Sequence, residues 1–164
     1  MNIRKPTDYT AMFAALDALM AAQLPQMELY CEIGRVVSGR SEKGAAVAAS
    51  EYLQDTYPAT EGFSPRNLRR MRAFYMAYEE SPEITRLAMY LGWTRNVAIL
   101  ERCGSNEERT CYIRAVLHFG WKKAKLLAAI ESQAWLHSSL DEQMVSCYTE
   151  EKEVTQESES DEKD

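Results

Sequence analysis

Four guanidiniums crowd one short stretch of the chain, Arg66, Arg69, Arg70 and Arg72. Each presents a planar fork of donors that fits a phosphate or the O6/N7 edge of guanine with two hydrogen bonds at once. At 100° per residue on a helix, Leu68, Met71, Phe74, Tyr75 and Tyr78 share one sector, whereas Arg66, Arg69, Arg70 and Ala73 take the opposite side, with Arg72 and Met76 on its flank. A helix with one face in a core and several guanidiniums on the other is what a reader of the DNA major groove needs. Lys122, Lys123, Lys125 and Arg95 form a second cationic set at the starts of later helices. Cations there oppose the positive end of the helix dipole by about 0.3–1 kcal/mol each, and a docked anion relieves the conflict. The competing reading is a solvated face whose arginines pair with Glu79, Glu80 or Glu83.

The other reactive residue types form no recognisable centre. Cys31, Cys103, Cys111 and Cys147 stand apart, with no C-x-x-C pair, and His118 and His137 are the only histidines, so neither a zinc finger nor a nucleophile–base pair is spelled out. No phosphate-binding glycine loop, dinucleotide fingerprint or G-x-S-x-G elbow occurs. Glu150-Glu151-Lys152 matches the bare E-x-K of metal-dependent nucleases, but it sits in an acidic run without the strand and upstream aspartate that such chemistry needs. Trp93, Trp121 and Trp135 could stack on bases and read equally as packing anchors, Trp121 at a corner between Gly120 and Lys122. The sequence therefore predicts no catalysis, no metal, no cofactor and no small-molecule ligand.

Charge is distributed unevenly. The chain carries −6 overall, and residues 150–164, with eight acids and two bases, account for all of it; the preceding 149 residues balance 17 bases against 17 acids. A neutral body argues against coating nucleic acid wholesale but permits a local basic patch. Isolated cysteines in a chain of 164 residues fit a reduced, cytoplasmic protein, and the apolar stretch Ala11 to Ala22 is too short to span a bilayer and is broken by Asp17.

These side chains need helices to hold them. Strong helix formers run from Asp8 to Leu24 and stop at Pro25, an amphipathic segment covers Gln26 to Arg40, and an Ala-rich one covers Ala45 to Tyr57 before Pro58. Ser64-Pro65 pairs a capping side chain with proline at the first helical position and starts the arginine helix, which runs to Tyr78. The same device at Ser81-Pro82 predicts a helix through Tyr90, and Thr94 a capped segment through Arg102. Ser105 and Glu108 form a capping box for a helix broken at Gly120, a last core helix covers Lys122 to His137, and a shorter one follows from Ser139 to Tyr148. No stretch alternates with period two. The prediction is an all-α, irregular orthogonal bundle of about seven to eight short helices with a helix-turn-helix-like core, a domain over residues 1–149 and a disordered acidic tail over 150–164.

Several segments together resemble one family, the helical domain of unknown function at the N-terminal half of YhcG-type PDDEXK nucleases. The matching pieces are Leu29 through Arg35, Gly62 through Tyr75, Leu91-Gly92-Trp93-Thr94-Arg95 leading into Ile99-Leu100, and Tyr112 through Trp121, covering about residues 10–133. Cys31 stands where a tryptophan is usual and Arg95 where a histidine is common. The resemblance implies a non-catalytic domain with a helix-turn-helix-like DNA-binding role, here a stand-alone member lacking the nuclease half. By analogy the setting is nuclease, mobile-element or defence systems. The alternative is a protein-interaction or regulatory subunit, either a homo-oligomer or an adaptor for a separately encoded nuclease.

Overall fold

The computed structural model describes residues 7–137 and Leu140. Among them eight α-helices and one 3-10 turn are present and no strand: α1 Thr10–Ala21, α2 Gln26–Ser38, α3 Ala45–Thr56, α4 Pro65–Tyr78, α5 Pro82–Ala88, α6 Trp93–Arg102, α7 Asn106–Phe119, α8 Lys123–Glu131, then the 3-10 turn Ala134–Leu136. The all-helical class read from the sequence holds. The predicted Ser139–Tyr148 helix, apart from Leu140, and the tail over 150–164 lie outside the described residues. The chain divides into two compact units between Trp93 and Thr94.

In the first unit α2 packs most extensively on α4, with α3 against α4 and α1 against α2 and α3. Met12, Leu16, Tyr30, Ile33, Val37, Leu53, Phe63, Leu68 and Met71 are buried together with the small Ala45, Ala46 and Ala49. The α2–α4 crossing depends on Gly34, because a Cβ there would overlap the Met71 carbonyl, reaching within 2.7 Å of its carbon and 3.1 Å of the Tyr75 Cβ. Away from the core, Asp17 of α1 accepts hydrogen bonds from the Tyr52 hydroxyl at 2.6 Å and the Tyr57 hydroxyl at 2.7 Å, tying α1 to the end of α3. Those two bonds hold the Asp17 carboxyl below the usual range and, acting in reverse, push the Tyr57 hydroxyl up to about 12.

In the second unit α6, α7 and α8 bury Ile99, Leu100, Tyr112, Ile113, Val116, Leu126 and Ile130. Arg109 of α7 donates to the carbonyls of Cys103 at 2.9 Å and Leu100 at 3.4 Å, satisfying acceptors that the end of α6 leaves open. Gly120, left-handed at φ 68°, ends α7 and donates to Val116 O at 2.8 Å.

Several helix boundaries differ from those predicted: α1 spans Thr10–Ala21 rather than Asp8–Leu24, with Gln23 at φ 53° after it, α2 and α3 end one or two residues early, and larger changes follow in α5, α6 and α8. Ser81 makes no side-chain cap, and α5 stops at Ala88, ahead of a turn in which Gly92 adopts φ 78°. That same turn opens α6 at Trp93, so Thr94 lies inside the helix instead of capping it. The final helix ends at Glu131 rather than His137, since Gln133 adopts φ 55° and breaks it into the 3-10 turn. The capping box at Ser105 forms in altered shape: Ser105 Oγ accepts from Glu108 N at 3.2 Å, but the Glu108 carboxylate reaches Gly104 N instead.

Candidate nucleic-acid interface

The start of α4 is fixed by several independent contacts. Ser64 Oγ accepts from Asn67 N at 3.1 Å with Pro65 behind it at the first helical position. The Asn67 side chain then donates to Gly62 O at 2.6 Å and accepts from the Trp93 indole N–H at 2.8 Å. Gly62 sits at φ 97° against the Tyr30 hydroxyl, a place where any other residue would be strained. Ser50 Oγ and Gln54 Nε2 both donate to Phe63 O, at 2.6 and 2.8 Å, while the Phe63 ring is buried. The entrance to α4 is thus held from α2, α3 and Trp93 together.

Its inner face is as the wheel predicts. Leu68, Met71, Phe74 and Tyr78 are buried and Tyr75 is half-buried. Trp93 packs edge-on against Phe74 and Tyr30, with ring centroids at 5.8 and 5.0 Å. The outer face presents Arg66, Arg69, Ala73 and Met76 to solvent, with Arg70 and Arg72 half-buried beside them. No acid lies within α4, and its first turn carries none. Among the described residues, the side chains of Arg66, Arg69 and Arg72 form no hydrogen bond or ion pair, so none of the three is neutralised by Glu79, Glu80 or Glu83; Arg70 has an interaction of its own. The connection from α3 to α4 spans Tyr57 to Ser64, longer than the three or four residues of a helix-turn-helix turn.

The second cationic set lies in the second unit. Lys122 precedes α8 and Lys123 and Lys125 occupy its first turn, all exposed, with no acid in that turn. The Lys125 ammonium stands 5.9 Å from the centroid of the Trp121 ring, which stacks on Phe119 at 5.5 Å. Trp121 and Lys125 also line a shallow cleft of about 400 Å³ with Ala128, Ser132 and Leu140. Arg95 plays another part here: half-buried, it donates to Trp121 O at 2.9 Å and so braces the corner after α7.

Among the remaining reactive side chains, Cys103 is buried and Cys31 and Cys111 are half-buried. Burial, with help from the Glu108 carboxylate, pushes the Cys103 thiol up to about 12, and burial also raises Cys31. His118 packs edge-on against Phe119 at 4.8 Å. Among the described residues no three His, Cys, Asp or Glu side chains gather as metal ligands. Cys147 and the Glu150–Lys152 motif lie outside the described residues. Sequence reasoning does not single out Asn67 or Arg109, and it names Asp17 only as a charge interrupting an apolar stretch; their partners lie in other elements or loops.

Fold and surface together define an all-helical protein whose α4 presents Arg66 and Arg69 to solvent from a firmly fastened helix start. The chain belongs to the DUF1016 N-terminal domain family, whose model matches residues 14–137, from within α1 to the end of the 3-10 turn. That membership agrees with the resemblance to the N-terminal half of YhcG-type nucleases. Comparison with curated proteins and with solved structures returned no match.

Proposed function

We propose that this chain is a non-catalytic, cytoplasmic DNA-binding module acting in a nuclease-associated, mobile-element or defence setting, with α4 as its contact surface. The observation that carries the reading is the exposed side of α4, where Arg66 and Arg69 project from a helix without a single acid and find no partner among the described residues. Arginines left unpaired on a rigid helix lose little on meeting phosphates, because no existing ion pair has to be broken first. Lys122, Lys123 and Lys125 are a separate phosphate-binding surface in the second unit. The test is a salt titration of duplex binding: four neutralised phosphates give a log K against log salt slope of roughly −3.6. Replacing Arg66 and Arg69 with Gln weakens that duplex binding. Absence of salt-sensitive binding to any duplex at low salt rules the function out.

A second reading, a protein-interaction subunit pairing with a nuclease or with its own copies, draws on Tyr90 and Met76, which are 73% and 52% exposed. Sedimentation across a range of concentrations distinguishes it. Self-association lost in Tyr90→Ser, with DNA binding absent, favours this reading over the first.

A further inference from the structure

From the angular arrangement of side chains on α4 we infer that the ligand is B-form duplex DNA read in its major groove, with Ala73 and Met76 as specificity-determining residues. The inference rests on the DNA-binding reading above and adds which edge of which nucleic acid is contacted.

On α4 the exposed residues Arg66, Arg69, Ala73 and Met76 form one narrow stripe. Arg70 and Arg72 stand on opposite sides of that stripe, each roughly 80° from its centre at 100° per residue. This is the cross-section a groove demands. A helix lying in the major groove turns its central stripe to the base edges and its flanks to the two phosphate walls. A helix resting on one phosphate row would need cations on one flank only. The half-burial of Arg70 and Arg72 fits the wall positions, since a long stem laid along the helix carries the guanidinium sideways.

The stripe itself is mixed, and the mixture has meaning. Its first half offers guanidiniums, matched to guanine O6 and N7, while its second half offers a methyl-bearing Ala73 and the thioether of Met76, which can contact a thymine methyl but cannot hydrogen-bond to a phosphate. Ala73, one turn beyond Arg69, is short enough to let the helix axis come close to the groove floor. From Arg66 to Met76 the rise is about 15 Å, so the stripe covers about four base pairs. The narrow, deep major groove of A-form RNA would not admit this helix.

The experiment selects duplexes with a randomised core on the full chain at low salt, then measures affinities of variants by titration. The selected sites are expected to hold a G·C pair beside an A·T pair. Arg69→Gln and Met76→Ala are expected to relax preference at separate adjacent positions, Arg69→Gln at a cost of roughly 5- to 100-fold on the selected site. Arg72→Gln is expected to weaken all sequences equally and to reduce the salt slope by about one, with Arg72→Lys restoring it. Circular dichroism melts guard against unfolding. Tight duplex binding without any base preference, uniform losses in all variants, or equal binding to double-stranded RNA overturns the groove reading while leaving nucleic-acid binding intact. No binding to any duplex overturns both.

Discussion

At the residue scale, the surface of α4 exists because Gly34 and Asn67 hold its other side. Gly34→Ala places a methyl group into the Met71 carbonyl, backbone that cannot swing aside. The expected loss is about 1–3 kcal/mol, toward the upper end, and thermal melting should show it directly. An unchanged melting temperature would mean that α2 and α4 do not approach as closely as described. Asn67 serves two partners of opposite kind, an indole donor and a backbone acceptor. Asn67→Asp keeps the first and turns a carboxylate oxygen toward Gly62 O, so a loss of about 1–3 kcal/mol is expected, with a change in Trp93 fluorescence as a second readout. The two residues differ in how visible they were in the sequence. The apolar and basic sectors of α4 followed from spacing within one helix, a local property. Asn67 looked like one more polar residue on that helix, since its partner Trp93 is 26 positions away and nothing local announces it.

At the element scale, helix ends show which local signals the fold uses. Ser64 and Ser81 look alike in sequence, each followed by proline, yet only the Ser64 side chain accepts a hydrogen bond from its helix. Ser64→Ala is therefore expected to cost about 1 kcal/mol and Ser81→Ala a few tenths at most, measured by denaturant unfolding. Equal effects would show that the caps contribute nothing specific. The identity of each helix is legible because apolar period and proline punctuation are written locally; the positive φ of Gln23, Gly92 and Gln133, found beside shifted boundaries, depends on where the chain must turn to reach its packing partner. The α1–α3 latch gives a pH signature. Asp17 titrates below its ordinary value, so its contribution is complete above the unfolded carboxylate range and fades as pH falls through the lowered folded value. Tyr57 is raised to about 12 against an ordinary value of 10.0, so its contribution is complete below pH 10 and is lost between there and about 12. Tyr57→Phe should reduce the alkaline loss, with Tyr52, raised by the same Asp17, keeping a share of it, and melts from pH 9 to about 12 on both proteins check it.

At the scale of the whole molecule, the decisive feature is the separation of charge. The first 149 residues are neutral in sum, α4 alone contributes four positive charges and no negative one, and the entire net −6 belongs to residues 150–164. A DNA duplex approaching α4 therefore meets a local attraction inside a molecule that repels it overall. Such repulsion acts through solvent and decays over about 10 Å at 0.1 M salt, whereas contact ion pairs are screened much less. Replacing the acids of 150–164 with their amides should consequently tighten duplex binding several-fold near 0.01 M salt, where the Debye length is about 30 Å, and change it little near 0.3 M. The Lys122–Lys125 surface should respond in the same sense, since the net charge is common to the whole chain. An amide-substituted chain that binds no more tightly at any salt concentration would show that the α4 field alone governs encounter. A gain that persists at high salt would instead point to direct competition between the acids and the phosphates for the same guanidiniums, and the arginine variants of α4 would then abolish that gain.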